Sequence, residues 1–416
     1  MTDTGYSNFR WYIFFTMIVV TAITSMGLIA PASVMPILFK SMPGVEPGDV
    51  TFVTMGVFNF FLAIAAILGG ILTDKLGPIK VFVGGLLLIM IGAFLMPVMG
   101  STYNGMLFIR LLQGFGTGPI MAAAVPIAAL YFPMKERGIT TGAQGFAVSL
   151  GIMVGLQLFP RLAASGDVFP ALRVLAWVAI IGLILSAIAA FGPKVAQQPA
   201  KADQGTQDAS ASNLFKKAVA NPLTWIAILC FTLMSGIFQQ LNSIVTGYIG
   251  SDAPLGLGRG TQAGANALTV ATILFCIGSF LSGLISEKLF GGKARPVIAI
   301  GFLLGAIGAY ATKYNFVAGD QTTLTIVLAF TAFFYSLVNP QAQAYLAKNY
   351  AQQIAGKLGG LSMFVGIMLG STVAVWWLGK SLNATGNYMQ PITIMAGLCF
   401  AGFIVSLFLK QKSVTD

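Results

Sequence analysis

Arg110 is a cation placed where a cation is costly. It sits in an apolar run, Met106-Leu107-Phe108-Ile109-Arg110-Leu111-Leu112-Gln113, and an arginine deep in a membrane helix costs at least about 2.5 kcal/mol on insertion scales. None of the 12 acidic residues lies deep in an apolar run: Asp74, Glu136 and Glu287 fall at run ends, and Glu46, Asp49, Asp167, Asp252 and Asp320 fall in connecting segments. A guanidinium with no carboxylate in reach is a candidate anion site, because its planar fork matches a carboxylate in two-point fashion. A second role is open to it: bonding backbone carbonyls or Gln113 and tuning a conformational change. Neutral polar residues recur on helical stripes elsewhere. Arg110, Gln113, Gly114 and Thr117 share one face, as do Thr232, Gly236, Gln239, Gln240 and Ser243. A third stripe holds Thr331, Tyr335, Asn339 and Gln343, and a fourth Thr21, Thr24 and Ser25. Spacings of three and four keep such residues on one side of a helix. Each stripe serves either a polar cavity or hydrogen bonds between helices, the latter worth about 0.6 kcal/mol per contact.

The elements that position these residues are membrane helices. Hydrophobic residues make up 56% of the 416 residues and charged residues 8%, too few charges to cover the surface of a water-soluble domain of this size. Twelve apolar stretches are long enough to span about 30 Å of hydrocarbon: 11–39, 51–73, 79–98, 103–132, 140–161, 171–192, 222–248, 264–286, 296–316, 322–346, 356–378 and 389–409. The fold class expected is all-α, with no removable leader at its start. Lys and Arg gather on the loops that share a side with the N-terminus, which puts both termini in the cytoplasm by the positive-inside rule. That distribution accounts for the net charge of +11 without nucleic acid. The three cysteines fall inside spans and imply packing rather than disulfides, and the absence of histidine excludes histidine metal sites and relays.

The chain is written twice. Gly151-Ile152-Met153-Val154-Gly155 returns as Gly366-Ile367-Met368-Leu369-Gly370, Gly70-x-x-x-Asp74-Lys75 as Gly283-x-x-x-Glu287-Lys288, and Trp11 as Trp225. The offset is about 214 residues each time, the mark of an internal repeat. Two six-helix bundles are expected, 1–192 and 222–416. Between them, 193–221 reads as a cytoplasmic linker, polar and Ala/Gln-rich over 194–212 and amphipathic over 213–220.

Three motifs identify a family. Gly70-Ile71-Leu72-Thr73-Asp74-Lys75-Leu76-Gly77-Pro78-Ile79-Lys80 resembles the signature loop between helices 2 and 3 of the major facilitator superfamily. The segment Arg110–Gly118 is similar to that superfamily's helix 4 motif, and Phe132-Pro133-Met134-Lys135-Glu136-Arg137-Gly138 to its loop between helices 4 and 5. The second-half copy departs, with Glu287 for aspartate and a shifted glycine in Leu289-Phe290-Gly291-Gly292-Lys293. The resemblance implies a conformational latch of Asp74, Gly70, Glu287 and Arg137, in which Asp74 faces the start of helix 11 near Gly356 and Glu287 the start of helix 5 near Gly138. It also implies that helices 1, 4, 7 and 10 line the cavity, so that Arg110, Gln113, Gln239, Gln240, Asn339, Tyr335 and Thr24 are the expected substrate contacts. Gln239-Gln240-Leu241-Asn242 is similar to a sugar-porter motif, but that family's other motifs are missing. The arginines of nitrate carriers are absent from 58–71 and 268–285.

These readings converge on a secondary transporter in the plasma membrane, a monomer moving a small organic anion such as a monocarboxylate by alternating access. Exchange or facilitated movement is expected, since no buried acid or histidine is present to carry a coupled proton. An exporter of neutral or amphiphilic compounds, or sugar-like uptake, is the alternative. No cofactor, metal or nucleic acid is expected; the partners are a small-molecule substrate and membrane lipid. No embedded nucleophile or acid–base pair points to an enzyme.

Overall fold

The computed structural model describes residues 8–132, 137–164, 166–192, 213–350 and 352–410. Twelve apolar helical spans cross it: α1 (Arg10–Ser33), α2 (Pro47–Thr73), α3 (Pro78–Met99), α4 (Tyr103–Ala128), α5 (Ala143–Ala163), α6 (Val168–Ala190), α7 (Pro222–Gly250), α8 (Thr261–Phe290), α9 (Ala294–Ala311), α10 (Gln321–Leu346), α11 (Lys357–Thr385) and α12 (Met389–Ser406). Helices are what the apolar composition dictates, because in hydrocarbon each backbone N–H and C=O must find its partner within the segment. Where helices begin at the polar boundary, side chains take the first free amides. The Asn221 Oδ1 accepts from Leu223 N at 3.0 Å and the Asp320 Oδ2 from Thr323 N at 2.7 Å. The backbone and hydroxyl donors of Thr323 hold the Asp320 carboxyl below the usual carboxylate range.

The repeat is visible in which helices pack. α2 lies along α4, α1 along α5 and α3 along α6; in the second half α8 lies along α10, α7 along α11 and α9 along α12. The molecule is thus two pseudo-symmetric six-helix bundles. They meet along α5 with α8 and along α2 with α11, themselves equivalent pairings. Trp11 and Trp225 are similarly half exposed, 46% and 43%, on the first turns of α1 and α7.

Five spans depart from the ideal helix, each for a local reason. The first apolar run, expected as one helix over 11–39, breaks at Val34, and Pro36 starts the short helix Met35–Ser41. α4 breaks at Ala123, and α10 at Leu337. There Ala123 N bonds Ile120 O at 3.1 Å and Leu337 N bonds Phe334 O at 3.2 Å, so both turns tighten. Pro126 and Pro340 each follow three residues later; a proline lacks the amide for the carbonyl four residues back and its ring crowds that carbonyl. α2 and α11 carry wide turns at Phe52–Gly56 and Gly366–Thr372. The linker residues 193–212 lie outside the described residues, while 213–220 form the helix expected there. Its Ala218 packs with Ile354, just before α11, and Leu358 at its start.

Call the face on which α1 begins and α12 ends the near face, and its opposite the far face. Among the described residues, the hydrogen bonds and ion pair that join the two bundles all lie toward the far face. Thr246 donates to Ala32 O. Gln157 Nε2 donates to Thr269 Oγ1 at 2.8 Å and to Asn266 Oδ1 at 3.2 Å. Gln262 reaches Gln157 at 3.4 Å, and exposed Lys40 pairs with Asp252 at 2.8 Å. The tightest approach is bare backbone. Gly48 N donates to Asn383 Oδ1 at 2.6 Å, and a Cβ on Gly48 would lie 2.0 Å from Gly379 O. The far face is closed.

Candidate functional site

Arg110 stands seven residues into α4, wholly buried at 0% exposure. Close helix approach brings it there: Gly114, one turn on, faces α2 so nearly that a Cβ would lie 2.6 Å from Phe58 O. Its guanidinium is held by carbonyls of two other helices. Nε donates to Thr54 O at 2.5 Å. Nη1 donates to Gly27 O at 2.7 Å and to Gln113 Oε1 at 2.7 Å, and Nη2 donates to Leu28 O at 3.3 Å. The plane rests on Phe58, with Cζ 4.3 Å from the ring centroid, a cation–π contact strengthened by desolvation.

These carbonyls have a cause. Pro31 in α1 has no amide to offer Gly27 O, its partner four residues back. The wide turn Phe52–Gly56 puts Val57 N on Phe52 O instead of Val53 O, so the regular ladder of α2 is interrupted where Thr54 O turns toward Arg110. A carbonyl left open in hydrocarbon is costly, and at Gly27 the arginine fills the opening. Of its five N–H donors, four make these bonds, and every acceptor is neutral. Among the described residues the charge itself has no counter-charge.

Several polar atoms on α1, α4 and α7 are buried without a hydrogen-bond partner. Gln113 Nε2 and Thr117 Oγ1 are two on α4, Thr21 Oγ1 is on α1, and Gln239 Nε2 and Gln240 Oε1 are on α7. A buried amide left half satisfied is a recognised mark of a ligand or water position. Thr24, by contrast, spends its hydroxyl on Thr21 O at 2.7 Å in its own helix. Gln240 Nε2 reaches Ala374 O of α11 at 3.2 Å, and the Ser235 and Ser371 hydroxyls meet at 2.8 Å one turn toward the near face. The first contact ties α7 to α11 just past its wide turn, and the second ties it to the turn itself.

The expected set therefore divides. Arg110 and Gln113 are bonded to each other; Gln239 and Gln240 are buried on α7 with an amide atom each to spare. Tyr335 lies inside the second bundle, its ring 5.4 Å from that of Phe275 on α8 and its Cβ against Gly305 of α9. The stripe Thr331, Tyr335, Asn339 spans the break at Leu337, and Asn339 beyond it is half-buried. Sequence reasoning passed over Pro31, the wide turn at 52–56 and Phe58, which set the position of the guanidinium. Pro31 was legible, because its fourth predecessor, Gly27, must lose a helical bond. The residues expected to form a latch lie toward the near face. Glu287 is exposed on α8, and the side chains of Gly70, Asp74 and Arg137 fall outside the described residues, as do those of Gly138 and Gly356.

Comparisons with known proteins agree with this architecture. A probable sulfoacetate transporter, SauU, of Cupriavidus necator is 24% identical over 370 residues, covering 86% of this chain and 84% of the relative. The agnestins efflux protein AgnL12 of Paecilomyces divaricatus is 23% identical over 363 residues, with 86% and 76% covered. A solved bacterial homologue of the human lysosomal transporter Spinster, inward-facing and unoccupied, superposes with a TM-score of 0.71 over 97% of this chain and 95% of that one, at 14% identity. The family model for the Major Facilitator Superfamily matches residues 17–293, from α1 across the junction of the bundles to the end of α8. With twelve spans paired alike in two halves, and with that match running through both, the chain belongs to the Major Facilitator Superfamily.

Proposed function

We propose that this transporter carries a small organic anion, such as a monocarboxylate, by alternating access between its two bundles. The observation that carries the reading is the buried Arg110 guanidinium, whose four bonds all end on neutral oxygens. An anion entering the site neutralises that charge in a medium where the attraction is weakly screened. The remaining N–H of Arg110 and the unpartnered Nε2 atoms of Gln113 and Gln239 are donors, as an anion requires. Gln240, Asn339, Tyr335 and Thr24 complete the proposed set, with Tyr335 shaping α10 from within its bundle. The sulfoacetate named for one relative is an organic anion too.

The reading extends to the cycle. Units 1–192 and 222–416, joined by 193–221, rock against each other, with both termini in the cytoplasm of a cell whose plasma membrane holds the protein as a monomer. The closed far face supports a site that opens toward the near, cytoplasmic side. In the opposite state Asp74 and Gly70 of α2, with Glu287 and Arg137, close the near face; such contacts contribute about 0.3–2 kcal/mol each. Without a buried acid or histidine, coupling runs by exchange, or by a proton carried on the substrate.

The test is binding and flux in reconstituted vesicles. Arg110→Gln abolishes anion binding, and Arg110→Lys keeps part of it. Ligand-dependent thermal stabilisation in detergent separates lost binding from lost folding. A folded Arg110→Gln protein that binds anions as wild type does sinks the reading. The exporter of neutral or amphiphilic compounds then takes its place, a role consistent with an arginine whose donors are already mostly engaged by backbone and with the efflux relative.

A further inference from the structure

Beyond the transport path, the outer wall of the second bundle carries a trough. It runs between α9 and α12 on the surface turned away from the first bundle, encloses about 600 Å³, and opens sideways. Its floor is made low by small residues, Ala306 of α9 with Ala396 and Gly397 of α12. Its walls are Leu303, half-exposed Ile307 at 56% and Phe400 at 51%. From Leu303 to Tyr310 the helix rises about 10 Å, so the trough reaches from the far boundary well into the hydrocarbon of one leaflet.

The upper end is chemically different from the floor. Tyr310 and Tyr314 form an edge-to-face pair at 5.9 Å, and Phe316 stacks on Tyr314 at 5.7 Å. Aromatic rings with polar tips are placed this way at headgroup level. Lys313 stands beside them, its Nζ 5.2 Å from the Tyr310 centroid and 2.7 Å from Thr393 Oγ1, a residue of the trough wall. An ammonium has three donors; one is used on Thr393. Among the described residues no carboxylate pairs with Lys313.

We infer that this trough is a binding site for one phospholipid of the far leaflet with an anionic headgroup. One acyl chain lies in the trough along Ala306 and Gly397, and the headgroup phosphate accepts from Lys313 and the tyrosine hydroxyls. The combination argues for lipid over a protein helix: the apolar part has acyl-chain depth, and the single positive charge stands at headgroup level and nowhere along the floor.

Native mass spectrometry of the full chain, titrated with phosphatidylglycerol or with phosphatidylethanolamine, tests this. Wild type is expected to hold one phosphatidylglycerol in preference to phosphatidylethanolamine. Lys313→Gln lowers phosphatidylglycerol binding about five-fold and removes the preference. Gly397→Leu removes both lipids, because a Cβ there meets nothing within 4 Å and the side chain grows into the trough without strain on its neighbours. Both variants should melt as wild type does in lipid-free detergent. The inference is overturned if Gly397→Leu binds phosphatidylglycerol like wild type, or if wild type does not discriminate the two headgroups. It is also overturned if the wild-type mass is that of a dimer which Gly397→Leu splits, since the occupant is then a second copy of the chain.

Discussion

The two bundles share a backbone plan but solve one problem differently. In the first, Pro31 frees a carbonyl of α1, the wide turn at Phe52–Gly56 disturbs α2, and Arg110 of α4 reaches both. At the repeat offset the second bundle has Val245 for Pro31, an unbroken α8, and Leu324 for Arg110, each buried. The three departures occur together or not at all. The difference teaches that Arg110 was not simply added to a finished helix bundle; its cost is offset by openings that its own half provides. It also makes the proposed site one-sided: its charge belongs to the first bundle, and the second would contribute neutral amides on α7.

The sharpest way to break that comparison is to move the arginine. Leu324→Arg gives the second bundle a cation with no opened carbonyl to receive it, and an unmatched buried charge costs at least about 2.5 kcal/mol. Loss of monodisperse, folded protein in detergent is expected, and normal recovery would show that the openings near Arg110 are not what accommodates it. Next is a cycle between Pro31 and Arg110. Pro31→Ala returns an amide to Gly27 O, so Arg110→Gln should destabilise a Pro31→Ala background less than the wild type, with a coupling of about 1–2 kcal/mol in melting experiments. Strict additivity would sever the two.

A third test compares the halves where they touch. Gly48→Ala and Gly379→Ala each push a methyl into the other's backbone, at 2.0 Å and 2.6 Å from the facing carbonyl oxygen. Both should open the far face to a similar extent, read as faster labelling of a single cysteine placed at Ser33 by a membrane-impermeant reagent. Unequal effects would mean that the helices do not meet as matched partners. The smallest effect belongs to Lys40→Gln. Its pair with Asp252 is exposed at 74% and 70%, and exposed pairs contribute about 0–1 kcal/mol, so labelling and melting should hardly change.

Much of this was legible beforehand. The spans, the doubling and the family rest on hydropathy and on spaced landmarks, which a single sequence carries in full. The breaks at Ala123 and Leu337 were legible in principle from Pro126 and Pro340. The site was half legible. Arg110 and Gln113 sit one helical turn apart, so their contact follows from spacing alone. The wide turn in α2 was hidden, because Phe52–Gly56 has the composition of ordinary helix and its register depends on what packs around it. The turn in α10 bears on the third stripe: it was drawn on a continuous helix, and α10 breaks at Leu337, between Tyr335 and Asn339.

The crossing of Gly48 and Gly379 has a thermal consequence. Closing the far face at that point freezes no glycine side chain, so it carries little of the rotamer entropy that long side chains lose when they interlock. Two backbones also cover little apolar surface, and the heat-capacity change of closure at that crossing should be small. There the balance between closed and open depends weakly on temperature, so the seal holds in a cold membrane about as well as in a warm one.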